Sequence, residues 1–191
     1  MDENLQVLKI LSDIAETTFR TRRSSLSRIK ASGFSIEGEQ KLIKEIITPL
    51  DESIQYLSSQ VKNTLIMIPI YNFFLERQQG ISIFDAAQLI SIIKDIEQFE
   101  TFGHLMSYSG FIPKSKNYNK KLHKLLQRLS YKLIKNNPQY QFVFDMNVQK
   151  YSEKYPKYSK EHIENMAKRI VVKKFLKNLY FSWNQINKDE F

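Results

Sequence analysis

Apolar residues return every three or four positions along almost the whole of this chain, and that spacing constrains its fold more than any other feature. An α-helix repeats every 3.6 residues and a strand every two, so the spacing lays one apolar stripe along each of a succession of helices. Leu5, Leu8, Leu11 (or Ile10), Ile14 and Phe19 form the first stripe, over about Asn4 to Lys30. Alternation of strand type is hard to find, and the strongest helix breakers are scarce, at five glycines and five prolines. The chain reads as all-α, a bundle of helices with an N-terminal helical stalk.

Local signals divide the stripes. "ASGF" at 31–34 ends the first helix, with Gly33 in the left-handed conformation that closes a helix without strain only for glycine. Ile43, Ile47, Leu50, Ile54, Leu57 and Val61 then recur at spacings of 4, 3, 4, 3 and 4, a heptad seam that fits either a homodimer or packing onto the chain's own core. Pro49 cuts across it, and "TPLD" at 48–51 reads as an N-cap threonine, a proline at the first helical position and an aspartate two residues further on, so a kink or a new helix start is expected there. Further helices are expected at about 61–77, 83–96, 101–108, 119–135, 139–154 and 160–184. Ser82 with Asp85 makes a capping box for the second of these, Thr101 caps the next, Gly110 ends it, and Ser159 opens the last. The stretch "GISIFDAAQLISIIKDI" at 80–96 is apolar nearly all round and belongs at the centre of a core. A boundary at 60/61 separates the stalk, 1–60, from a main domain, 61–191.

Charge is distributed unevenly. Residues 1–100 hold 11 Lys and Arg against 14 Asp and Glu, while 101–191 hold 18 against 6, so the net +9 is the sum of −3 and +12. A cationic half of this kind suits a polyanion, because lysine and arginine release the counterions condensed on phosphates; a solvated surface is the plainer alternative. The longest apolar run, "TLIMIPIYNFFL" at 64–75, falls short of the roughly 20 residues of a membrane span. With an acidic start and no leader pattern, the expectation is a cytoplasmic protein without membrane contact, nucleoid-associated if it binds DNA. Cysteine is absent, which excludes disulfides and thiolate metal sites.

Three basic clusters stand out. In "NKKLHKLLQRLSYKLIKNN" at 119–137, Lys121, Lys124, Arg128, Lys132 and Lys135 fall within about 80° of one another, roughly 100° around the helix from Leu122, Leu125, Leu126, Leu129 and Leu133. A row of cations beside a leucine row suits a helix laid along a phosphate backbone. Lys168, Arg169, Lys173, Lys174 and Lys177 form a second cluster, and "RTRRSSLSRIK" at 20–30 a third. Tyr118, Tyr151, Tyr155 and Tyr158, interleaved with lysines, could stack on unpaired bases, although half-buried tyrosines are the commoner use. Catalytic signals are poor. His104, His123 and His162 have no partner at metal-ligand spacing, so neither a metal nor another cofactor is expected. Arg128, His162, Arg169 and Tyr180 supply the residue types of a tyrosine recombinase without its spacing.

Residues 80–113, "GISIFDAAQLISIIKDIEQFETFGHLMSYSGFIP", resemble the C-terminal region of insertion sequence 110 type transposases. That region has an apolar Ala-rich helix after a glycine turn and a short helix closing on tyrosine, glycine and proline; Gly80, Ile81, Ala86, Ala87, Asp95, Ile96, Phe99, Leu105, Tyr108, Gly110 and Pro113 match. "HIENMAKRIVVKKFLKNLYFSW" at 162–183 is similar to the closing helix of a branch of such proteins, and residues 20–43 to the preceding connector. The resemblance implies a helix-hairpin-helix module whose turn, Gly80, Ile81 and Ser82, faces a phosphate with the free N–H groups of the next helix start. The family's RuvC-like catalytic domain has no counterpart, and only Ser115 stands where its nucleophilic serine would be.

The expectation is a nucleic-acid-binding protein of low sequence specificity, DNA before RNA, related to a mobile element and without its own catalytic domain. Phosphate would be held by the Gly80–Ser82 turn, by Lys114 and Lys116, by the row from Lys121 to Lys135, and by Lys168, Arg169 and Lys173. A residual recombinase acting with a partner or through Ser115, and a structural adaptor or structured-RNA binder, are the alternatives. Ser82 in place of a second glycine, and the Asp85 carboxylate at the helix start, both weaken the turn as a phosphate grip.

Overall fold

The structure, a computed structural model, describes residues 3–112 and 117–189, and these contain helices and turns but no strand. The chain forms two compact units, Met1–Met67 and Ile68–Phe191. The division falls later than 60/61 because the helix entered at Thr48 runs to Leu65 and carries the buried Val61 and Leu65 into the first unit.

In unit 1, α1 (Glu3–Ala31) packs against α3 (Thr48–Leu65), with the short α2 (Ile36–Leu42) between them in sequence. Gly33 takes the expected left-handed conformation, φ 69°, just beyond α1. The buried stripe of α1 runs through Leu8, Ser12 and Ala15, so the small residues at 12 and 15 admit the neighbouring helix. Leu5 and Leu11 are half-buried, while Ile10, Ile14 and Phe19 of the expected stripe are exposed.

The capping pattern expected at "TPLD" is replaced by a wider coil. Residues Ile43–Ile47 form a π-helical turn that joins α2 to α3 without a break, and no side chain caps the junction. Proline has no N–H to donate and crowds the carbonyl one turn back, and a locally widened turn accommodates both defects. Of the heptad seam, Ile47, Leu57 and Val61 are buried, and Ile43, Leu50 and Ile54 half-buried, within this unit. The buried half of the seam packs within its own unit. Arg22 on α1 forks onto the Asp51 carboxylate on α3, with Nη2 3.1 Å from Oδ2 and Nε on Oδ1.

Unit 2 holds a π-helical turn (Tyr71–Leu75), α4 (Ile83–Ile93), α5 (Phe102–Tyr108), α6 (Lys120–Asn136), α7 (Pro138–Lys154) and α8 (Lys160–Asp189). The long α8 is the spine, packed against α5, α6, α7 and the π turn, while α6 also meets α4 and α7. Ile163, Ala167, Val171, Val172, Phe175, Leu176, Leu179 and Trp183 form its buried side. As expected, α4 is central: Ala86, Ala87, Leu89, Ile90 and Ile93 are at most 1% exposed. The helix expected over 61–77 does not form as one piece: α3 ends at Leu65, residues 66–68 turn, and Pro69, which suits a helix start, opens a short stretch that runs into the π turn. The segment ahead of Gly80 is a short helical stretch, 69–75, followed by turns, and the all-helical architecture does not itself show a helix-hairpin-helix module.

α4 stops before its expected end at Ile96 because the backbone reverses at Lys94, φ 62° and ψ −61°. The Asp95 N–H donates to the Ile93 carbonyl at 2.7 Å, a γ-turn of the strained hand for an L residue. The Gln98 side-chain amide holds this turn by donating to the carbonyls of Ile93 and Asp95. A residue in such a region costs of order 1–3 kcal/mol, and glycine occupies it freely at an entropic cost of roughly 1 kcal/mol in the unfolded chain. Lys94→Gly is expected to stabilise unit 2 by about 1 kcal/mol and Lys94→Ala to change little. Urea unfolding of the three proteins checks this, and a midpoint for Lys94→Gly at or below the parent's contradicts it.

Candidate nucleic-acid interface

The Asp85 carboxylate, at the start of α4, is 2% exposed and decides how two of the expected phosphate ligands are used. Its Oδ2 accepts from Ser82 N at 3.2 Å and Ser82 Oγ at 2.6 Å, and Ser82 Oγ accepts in turn from Asp85 N, completing the expected capping box. From α6, Lys132 Nζ reaches Oδ2 at 2.5 Å and Arg128 Nη2 reaches Oδ1 at 3.1 Å. Arg128 also donates to Gln88 Oε1 at 2.8 Å. Burial alone would push the Asp85 carboxyl up. The hydrogen bonds from Lys132 and Ser82, with the Lys132 charge, more than offset this and hold it below the usual carboxylate range.

The Gly80–Ser82 turn is engaged in the same way. Gly80 has φ 94°, and a Cβ there would lie 2.6 Å from the Lys132 carbonyl oxygen, so the turn is seated on the α6 backbone. Asp85 takes the place at the helix start that the resemblance assigns to a phosphate. Gly80, Ser82, Arg128 and Lys132 are thus joined to one clasp between α4 and α6, and Ile81, between them in the turn, donates its N–H to the Gln78 carbonyl.

The other cations are differently placed. Lys121, Lys124 and Lys135 are exposed and form no ion pair among the described residues. On α8, Arg169 and Lys173 are exposed and likewise unpaired among the described residues. Lys168 is half-buried, its Nζ 4.5 Å above the Tyr131 ring, 3.3 Å from that hydroxyl and 3.9 Å from Glu164. Lys114, Lys116 and the candidate nucleophile Ser115 lie outside the described residues. Tyr180 donates its hydroxyl to the carbonyls of Phe99 and Glu100, at 3.1 and 3.3 Å, and so serves as a tie between α8 and the segment before α5.

Lys168 and Arg169 line a cleft of about 660 Å3 between α6 and α8. Its shape depends on Gly110. The end of α5 closes in a Schellman motif, with Phe111 N donating to the Met106 carbonyl and Gly110 N to that of Ser107. Gly110 has φ 75°, and a Cβ there would meet the Tyr118 ring at 2.6 Å and His123 Nδ1 at 3.0 Å. The bare glycine lets the rings of Phe111 and Tyr118 lie 4.7 and 5.0 Å from that of His123. His123 Nδ1 is 3.0 Å from the Ser109 carbonyl, which can only accept, so Nδ1 carries the proton; Nε2 faces the Gln127 amide at 3.1 Å.

Asn119 fixes the other end of the loop. Its Oδ1 caps α6 through Leu122 N at 2.9 Å while its Nδ2 donates to the Tyr108 hydroxyl at 2.7 Å. No carboxylate is among the described lining residues of the cleft.

The α6 cations share the helix face that their spacing predicts, whereas Gln127, Ser130, Asn165 and Phe111 come together only in the fold. The available signal was the polar and aromatic flank His123, Gln127, Ser130 and Tyr131, at helical positions i, i+4, i+7 and i+8, beside the lysine row and away from the leucines. Tyr155 and Tyr158 stack on each other at 5.1 Å, and Tyr158 meets His162 edge-on, so part of their ring surface is already covered.

The charge asymmetry follows the units. Unit 1 holds nine Lys and Arg against nine Asp and Glu, and unit 2 holds 20 against 11, so the net +9 resides in unit 2. Among the described residues no three His, Asp or Glu side chains gather as metal ligands, and no helix is long and apolar enough to cross a membrane. No protein-family model, curated protein or solved structure matches the chain. The transposase resemblance stands on the quoted residues alone.

Two outcomes test the clasp. Because the Asp85 carboxyl is held below its unfolded value, its stabilisation is complete above the ordinary carboxylate range and is lost as pH falls below about 4. Asp85→Asn should lower the stability of unit 2 at pH 7 by about 2 kcal/mol, the order of a charge-assisted hydrogen-bond set, and flatten the acid limb of its pH–stability curve. A variant whose acid limb matches the parent's would show that other carboxylates carry the effect. Gly80→Ala combines a positive φ with a backbone collision and should cost roughly 1–3 kcal/mol in thermal or urea unfolding; a parental midpoint would contradict the seating described above.

Proposed function

We propose that unit 2 is a nucleic-acid-binding module of low sequence specificity, acting on DNA in the first instance, with Lys121, Lys124, Lys135, Lys168, Arg169 and Lys173 as its phosphate contacts. The observation that carries the reading is the array of cations along α6 and α8, beside a cleft with no carboxylate among its described lining residues. Phosphates meeting exposed lysines release their counterions, and that supplies sequence-independent affinity. Most of these contacts are lysine, a mobile point charge, rather than arginine, whose planar fork reads guanine edges. Low specificity follows from that balance. The resemblance of residues 80–113 and 162–183 to insertion sequence 110 type transposases adds descent from, or coding by, a mobile element to the reading.

Arg128 and Lys132 belong to the Asp85 clasp, so their part in binding is indirect. The test is a titration of a labelled DNA duplex at several salt concentrations. The log of the affinity should fall linearly with log[salt], with a slope of roughly −0.9 for each phosphate neutralised. Lys121→Glu with Lys124→Glu should weaken binding and make that slope shallower, without moving the unfolding midpoint. A slope near zero in the parent protein rejects the reading.

A further inference from the structure

The cleft between α6 and α8 contains more chemistry than a phosphate track requires. Exposed cations are enough to hold a duplex backbone, whereas this half-open recess of about 660 Å3 has a volume within the roughly 300–1,000 Å3 typical of small-ligand sites. Its walls combine three kinds of group. One is the ring cluster Phe111, Tyr118 and His123, fixed by Gly110 and by hydrogen bonds at both nitrogens of His123. Another is Tyr131, 58% exposed, with Lys168 over its ring and no aromatic partner among the described residues. The third is a polar rim in which the Gln127 and Asn165 amides and the Arg169 guanidinium line the same space.

A flat aromatic surface, neutral amides that both donate and accept, and cations with no lining carboxylate match a heterocyclic base attached to a phosphate. A metal ion would want carboxylates, and an apolar ligand has no use for the lysine and arginine. Bases inside a duplex have both faces stacked and their pairing edges occupied, and extracting one costs free energy. A strand that is already unpaired presents the same groups at no such cost.

We infer that the cleft receives one unpaired nucleotide of a single-stranded nucleic acid, its base stacked on Tyr131 and its phosphate at Lys168 and Arg169. This rests on the reading of unit 2 as a nucleic-acid binder and adds the form of nucleic acid it prefers. Glu164 lies 3.9 Å from the Lys168 ammonium, whereas Arg169 forms no ion pair among the described residues and is the less encumbered charge.

The test is fluorescence anisotropy of the full chain with a labelled oligothymidylate of about a dozen nucleotides, the same strand annealed to its complement, and unlabelled thymidine monophosphate as competitor, all at one ionic strength. The single strand should bind at least about ten-fold tighter than the duplex. Tyr131→Ala should reduce single-strand affinity roughly ten-fold or more, as loss of a stacked base does. Tyr131→Phe, which keeps the ring, should restore most of it, and Arg169→Gln should weaken the single strand further than the duplex. Circular dichroism confirms that the variants fold, and Tyr131 is exposed enough to be replaced without opening a core. Lys121→Glu with Lys124→Glu should lower affinity for both forms while preserving their ratio. Duplex binding as tight as single-strand binding, an unchanged single-strand affinity in Tyr131→Ala, or competition by the free mononucleotide as effective as by the oligomer overturns the inference and leaves the proposed function intact. Absence of binding to either form removes both.

Discussion

One buried carboxylate organises the cationic unit of this protein. Asp85 caps the helix that supplies the centre of the core, and the same two oxygens receive a lysine and an arginine from α6. A carboxylate removed from water is unfavourable without compensation, and here the compensation comes from side chains that are themselves only partly buried. The arrangement fixes the rotation of α6. Once Arg128 and Lys132 are turned toward α4, the flank bearing His123, Gln127 and Tyr131 is turned toward α8, and the cleft is a consequence of that rotation as much as of its own residues.

The cleft also depends on where backbone is allowed to approach. Gly110 ends α5 in a left-handed turn against which Tyr118 and His123 rest directly, and Gly80 lets a second turn lie on the Lys132 carbonyl of α6. Both positions combine positive φ with a contact that leaves no room for a methyl group. They differ from Gly33, which shares the positive φ but has open space where a Cβ would stand, and so answers only to conformation.

Much of the fold was legible in the sequence, for physical reasons that can be named. Apolar spacing located α1, α6, α7 and α8 while misplacing the end of α3, and the Ser82–Asp85 box and Gly110 marked helix ends because capping is a local interaction between residues near in the chain. Non-local facts were less accessible. The heptad seam was visible, but its partner was not, since a stripe of isoleucine and leucine carries no label for the surface it will meet. Ser12 and Ala15 escaped notice because smallness at a helix contact leaves no hydrophobic signature. Among the site residues, cations were easy to find by counting. Which of them were already neutralised could not be counted, because Arg128 and Lys132 find their carboxylate more than forty positions away.

The placement of the lone tryptophan has a spectroscopic consequence. Trp183 is 7% exposed on the buried side of α8, and unit 1 contains no tryptophan at all. Emission excited beyond the tyrosine band therefore originates wholly in unit 2, whereas the far-ultraviolet helical signal sums both units. Any denaturation experiment that records the two together carries an internal measure of cooperativity: coincident curves mean the units unfold as one, and separated curves resolve their stabilities without cutting the chain.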